Sequence, residues 1–115
     1  MRFRGALIAV LLGAACSPAA AQRTVQVLTP TTDTCRAYTA ATAARDQAAL
    51  LGLGGWVVGY LSGFAQGAQI NILKNENVAG LSKRLYEACL KRPEMPLSIA
   101  ARELAKALIL EHRGR

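Results

Sequence analysis

The sequence predicts an all-α protein: a small single-domain bundle of about four helices, stapled by one disulfide and preceded by a signal peptide. Three observations lead there. Apolar residues recur at helical spacing in the C-terminal half, no alternating strand pattern of useful length occurs anywhere, and two cysteines remain once the leader is set aside. At 115 residues the chain has room for one domain.

Residues 1–21 read as the leader. Arg2 and Arg4 form a positive n-region, Ala6 to Ala15 an apolar h-region, and Ala19-Ala20-Ala21 an A-x-A cleavage site before Gln22. That order marks a secretory signal peptide, too short and wrongly flanked for a spanning helix. Cleavage between Ala21 and Gln22 predicts export to the periplasm. A lipoprotein attached through Cys16 is the lesser alternative, since Gly13 stands where a lipobox carries Leu. With Arg2 and Arg4 removed, 12 basic residues face 7 acidic ones, a net charge of about +5. These charges never run longer than a pair (Lys83-Arg84, Lys91-Arg92), which reads as a solvated surface. Spread charge on an exported chain argues against nucleic acid as a partner.

Cys35 and Cys89 survive cleavage, and an even count in a small exported chain reads as a disulfide. Two cysteines permit one intramolecular pairing. Closing a loop of roughly fifty residues stabilises by about 4 kcal/mol in the chain-entropy account. A domain this small gains from such a staple, because it buries little surface.

The elements follow in order. Residues 22–33 contain Thr, Val and Pro30 without a helical period, and are assigned to a flexible N-terminal arm. Residues 34–113 form the helical domain. Asp33 or Thr34 is placed to cap the first helix, which is Ala-rich and offers Cys35, Tyr38 and Leu50 to the interior. A break is expected between Ala43 and Gln47. The segment from Asn71 to Gly80, with three asparagines and a glycine, must turn. Leu81, Leu85 and Cys89 then recur every four residues and face inward, while Lys83, Arg84, Glu87 and Lys91 face water. Pro93 ends that helix and Pro96 opens the next, whose stripe is Leu97, Ala101, Leu104 and Leu108.

Between Asp46 and Lys74 there is no charged side chain. Gly55, Gly59, Gly63 and Gly67 recur every four residues and line one helix face, with Trp56, Tyr60 and Phe64 as a second stripe about 100° around the axis. Repeated G-x-x-x-G brings helices close in membranes. Six glycines between Leu51 and Gly67 make poor hydrophobic filler, however, and no basic cluster fixes a topology. The run is therefore read as the central helix of the core, with a membrane-associated helix as the rival.

Catalysis finds few candidates. His112 is the lone histidine, three residues from the C-terminus, and reads as a favourable partner of its helix dipole. It and two bridged cysteines make no tetrahedral metal set. The glutamates lie scattered among basic residues, and "GLGGWVVG" lacks the lysine of a phosphate loop. No enzyme, no cofactor, no metal and no small-molecule substrate are expected. What remains is apolar surface for protein contact: Trp56, Val57, Tyr60, Leu61 and Phe64.

Taken together, Thr34-Cys35, Trp56 with Gly59-Tyr60-Leu61-Ser62-Gly63, Cys89 with Pro93, and Ala100-Ala101 with Leu104 on a closing helix resemble the HdeA/HdeB-like family of small periplasmic proteins. The likeness covers about residues 34 to 110. It implies a helical fold with one disulfide, homodimers near neutral pH, and ATP-independent acid-stress chaperone activity on unfolded periplasmic client proteins. The glycine repeat extends beyond the family motif, and this chain is basic before any acidification. A shared fold also need not carry a shared activity. "GYLSG" and the closing helix are also similar to periplasmic immunity proteins, which bind one partner, an amidase effector of type VI secretion.

Overall fold

The computed structural model describes residues 33–113 together with Gln26 and Leu28. The signal peptide, its Ala21–Gln22 cleavage site, Cys16 and most of the N-terminal arm lie outside the described residues. Four helices follow in order: α1 (Cys35–Ala44), α2 (Gln47–Ala68), α3 (Val78–Lys91) and α4 (Leu97–Arg113). Among the described residues there is no strand beyond a single antiparallel bridge between Thr34 and Pro96.

Local chemistry sets the joints. Arg45 takes the left-handed conformation (φ 53°) and its N–H donates to the carbonyls of Ala41 and Thr42, which closes α1. Asp46 follows at once as N-cap of α2, its carboxylate accepting from the Ala49 N–H at 3.1 Å. The expected break thus falls at residues 45–46, and two helices occupy the stretch. Gln69, also at φ 53°, ends α2 in the same way. Asn77 caps α3 by accepting from the Gly80 N–H at 2.8 Å.

The start of α1 departs from expectation. Thr34 stands at the N-cap position, but its side chain makes no capping bond. The amides of Cys35 and Arg36 instead donate to the carbonyls of Met95 and Pro93, both at 2.8 Å. The Leu97 N–H in turn donates to Asp33 O at 3.0 Å. Free amides at two helix starts are therefore satisfied by the segments preceding each other's helix. This lacing also joins Asp33, assigned above to the arm, to the helical body.

The disulfide pins the same corner. Cys35 at the start of α1 and Cys89 near the end of α3 are bridged, with their Cα atoms 4.7 Å apart and both residues fully buried. Leu81 and Leu85 of α3 lie inside as expected.

The helices contribute unequally to the core. α4 buries six of its 17 residues: Leu97, Ala100, Ala101, Leu104, Ala105 and Leu108. α2 buries three of 22, Leu53, Val57 and Leu61. α4 thus gives the core the most buried side chains, while α2, the most apolar element, packs on α1 and α4 along one face. The reason is side-chain size and placement. Alanines at 100, 101 and 105 let neighbours close in around α4, whereas a Cβ built at Gly52, Gly54, Gly55, Gly59, Gly63 or Gly67 would meet nothing within 4 Å. Among the described residues no second backbone approaches the glycine face. It looks outward.

Candidate partner-binding surface

The five apolar residues singled out on α2 divide into two groups. Val57 and Leu61 are buried, at 3% and 0% exposure, and anchor the helix to the core beside Leu53. Trp56, Tyr60 and Phe64 are half-buried and form a ribbon along the outside of that anchor. The Trp56 and Tyr60 rings stack with centroids 5.5 Å apart, and Phe64 continues the row at 6.5 Å in a tilted arrangement. Spacing of four residues on a helix places them so, and offset or tilted aromatic pairs are favourable in their own right.

The ribbon has one polar handle. The Trp56 Nε1–H donates to the Leu28 carbonyl at 2.9 Å, so the chain ahead of α1 touches α2 at this ring. The Leu28 side chain itself is 78% exposed and covers little. An indole N–H at the margin of an apolar face fits a residue that is half in contact with protein and half wet.

The ion pairs that join elements lie on α1, α3, α4 and their loops, not on α2. Arg84 on α3 makes a two-pronged contact with Glu111 of α4 (2.6 and 3.1 Å) and reaches Glu76 in the preceding loop at 3.6 Å. Arg36 of α1 pairs with Glu94 in the turn before α4. Each pair links two elements, and each is at least partly exposed, which limits its contribution to about 1 kcal/mol or less.

His112 is exposed near the end of α4. Among the described residues no three of His, Cys, Asp and Glu gather into a metal-binding group. Among them, too, α2 alone is long and apolar enough to cross a membrane by length and composition. Its buried face nevertheless packs on α4 in the same core as Leu85 and Leu108.

Sequence reading missed a second apolar feature, a groove beside α2 formed with α1 and α3. Val78, Tyr86 and Leu51 line it, and none belongs to a stripe recognised above. The available signal was the adjacent Leu50-Leu51 pair, which widens the apolar arc of α2 beyond what one neighbour covers. Fold and surface together define a class: a small helical protein tied by a disulfide, with an apolar ribbon on its least buried helix. Comparison with protein-family models, curated proteins and solved structures gives no match for the chain.

Proposed function

We propose that this protein is a periplasmic acid-stress chaperone, which holds unfolded periplasmic proteins on apolar surface uncovered at low pH. The observation that carries the reading is the weak seating of α2. Only three of its 22 residues are fully buried, and Trp56, Tyr60 and Phe64 beside them pack on the core while half-exposed. A small outward movement of α2 joins the half-buried ribbon to Val57 and Leu61 in one continuous apolar face.

Acid supplies the force. Well below the ordinary carboxylate range, the 7 acidic residues lose their charge and His112 gains one, taking the chain without residues 1–21 from about +5 to about +13. Self-repulsion of that size favours an open state. The Cys35–Cys89 bridge keeps α1 and α3 together. The reading makes the protein a binder and not an enzyme, with homodimers as its resting form.

The test is aggregation of unrelated client proteins near pH 2–3, with a hydrophobic dye as a second readout. Suppression of aggregation together with dye binding in acid, and neither at neutral pH, is the expected result. Absence of both in acid removes the proposal. Tight binding of one amidase effector at neutral pH, with no broad client range, favours the immunity-protein reading instead.

A further inference from the structure

The groove between α1, α2 and α3 has a volume of about 540 Å³, within the range of sites that take small molecules. Gly54 and Gly55 line it with bare backbone, and added Cβ atoms there would meet nothing within 4 Å. Val58 extends the same wall. Opposite stand Val78 and Tyr86 of α3. Leu51 is 75% and Val78 61% exposed, so two large apolar side chains are left open to water at one place. Burying them is favourable in proportion to the area covered.

Polar groups at the groove narrow the choice of occupant. The Thr42 hydroxyl donates to Tyr38 O at 3.0 Å, and the Tyr38 hydroxyl to Ser82 O at 3.4 Å. Both hydroxyl protons are therefore committed to backbone. Among the described residues Lys83 is the one charged residue on the lining, and no carboxylate lines it. Its nearest acidic neighbour is Glu87, with the ammonium 4.0 Å away and both side chains mostly exposed, a pairing that contributes little. Gln47, Ser82 and Tyr86 add only neutral polar groups, so the lining balances one negative charge and not the two of a phosphate. A single negative charge on an apolar chain matches the lining.

We infer that this groove is a binding site for a single-chain alkyl carboxylate, a fatty acid of medium length, with its tail along Gly54, Gly55 and Val58 and its carboxylate at Lys83. The site is present in the folded protein and does not rest on the acid-chaperone reading.

Calorimetric titration of the purified protein at neutral pH with sodium decanoate, 1-decanol and butyrate tests it. Decanoate is expected to bind saturably and shift the amide resonances of Gly54 and Gly55, while butyrate, lacking the tail, gives no saturable heat. Gly55→Leu fills open space and should weaken decanoate by about tenfold or more, without lowering the thermal midpoint. Val78→Ser removes part of the opposite, exposed wall without touching the core, and should weaken binding in the same direction. Lys83→Gln should weaken decanoate by roughly two- to fivefold and leave decanol unchanged. Failure of decanoate to saturate overturns the inference, as does undiminished affinity in both Gly55→Leu and Val78→Ser. Equal losses for decanoate and decanol in Lys83→Gln overturn the role of the carboxylate. A dimer that Gly55→Leu dissociates, with no decanoate bound by the unaltered protein, assigns the groove to a second copy of the chain and overturns it too.

Discussion

Cys35 and Cys89 sit where three pieces of backbone meet: the start of α1, the end of α3, and the turn whose carbonyls cap α1. Both are fully buried, so their bridge is closed inside the corner it holds. A sequence separation of 54 makes the loop long, and the chain-entropy account gives about 4 kcal/mol for closing it. Against a total stability of about 5–15 kcal/mol for a domain, that is a large share. The double substitution Cys35→Ala with Cys89→Ala should therefore lower the unfolding free energy by about 2–5 kcal/mol, read from urea titration. The unaltered protein measured in strong reductant should fall to a similar value. If the two curves, reduced and oxidised, coincide, the bridge does not hold the fold. The ion pairs of Arg36 and Arg84 are different in kind: exposed or half-buried, each contributes about 1 kcal/mol or less, and they align elements more than they stabilise them.

Among the helices, α2 is the one whose sequence and surroundings disagree. Glycine in a helix interior costs about 1 kcal/mol relative to alanine, and that cost is usually repaid by a close neighbour. At Gly59 and Gly63 an added Cβ meets nothing within 4 Å among the described residues. Gly59→Ala with Gly63→Ala should accordingly stabilise the monomer by about 1–2 kcal/mol, which for a body of this size raises the thermal midpoint by several degrees. A lower midpoint, or a changed sedimentation state, would mean that another molecule packs on the stripe. The same helix shows what sequence could and could not convey. α3 and α4 were legible because their apolar positions repeat every three or four residues against a charged background, so burial follows from period alone. The joint at residues 45–46 was legible as a weakening of helix character. The rank of α2 in the core was not, because lack of charge reports what a helix could bury and not what stands next to it. Thr34 was rightly placed at the N-cap position, yet its capping partners lie about sixty residues away in the turn at 93–95, a tertiary arrangement that local propensity cannot encode. The groove was hidden for the same reason, since it exists only once three helices meet.

For the whole molecule, charge and tether act against each other. Acidification adds about eight positive charges to a chain that begins positive, as 7 carboxylates and one histidine take up protons. α2 is held to its neighbours by packing alone, through Leu53, Val57 and Leu61 and the half-buried side chains beside them, whereas α1 and α3 are bound covalently at Cys35 and Cys89. Opening should therefore be partial, with α2 moving first and the α1–α3 corner kept. Small-angle X-ray scattering can read this directly. At pH 2 and low ionic strength the radius of gyration should rise above its neutral value, in step with dye binding. Added salt near 1 M shortens the screening length to about 3 Å and should reverse much of the expansion. Reduction of the disulfide should enlarge the acid state further, because nothing then limits the separation of α1 from α3. Each of the three conditions isolates one contribution: protons set the charge, salt screens it, and the bridge bounds its effect. Should the dimensions at pH 2 match those at neutrality in both redox states, self-repulsion is too weak to unseat α2, and acid-driven exposure of the Trp56–Tyr60–Phe64 ribbon is excluded as a mechanism.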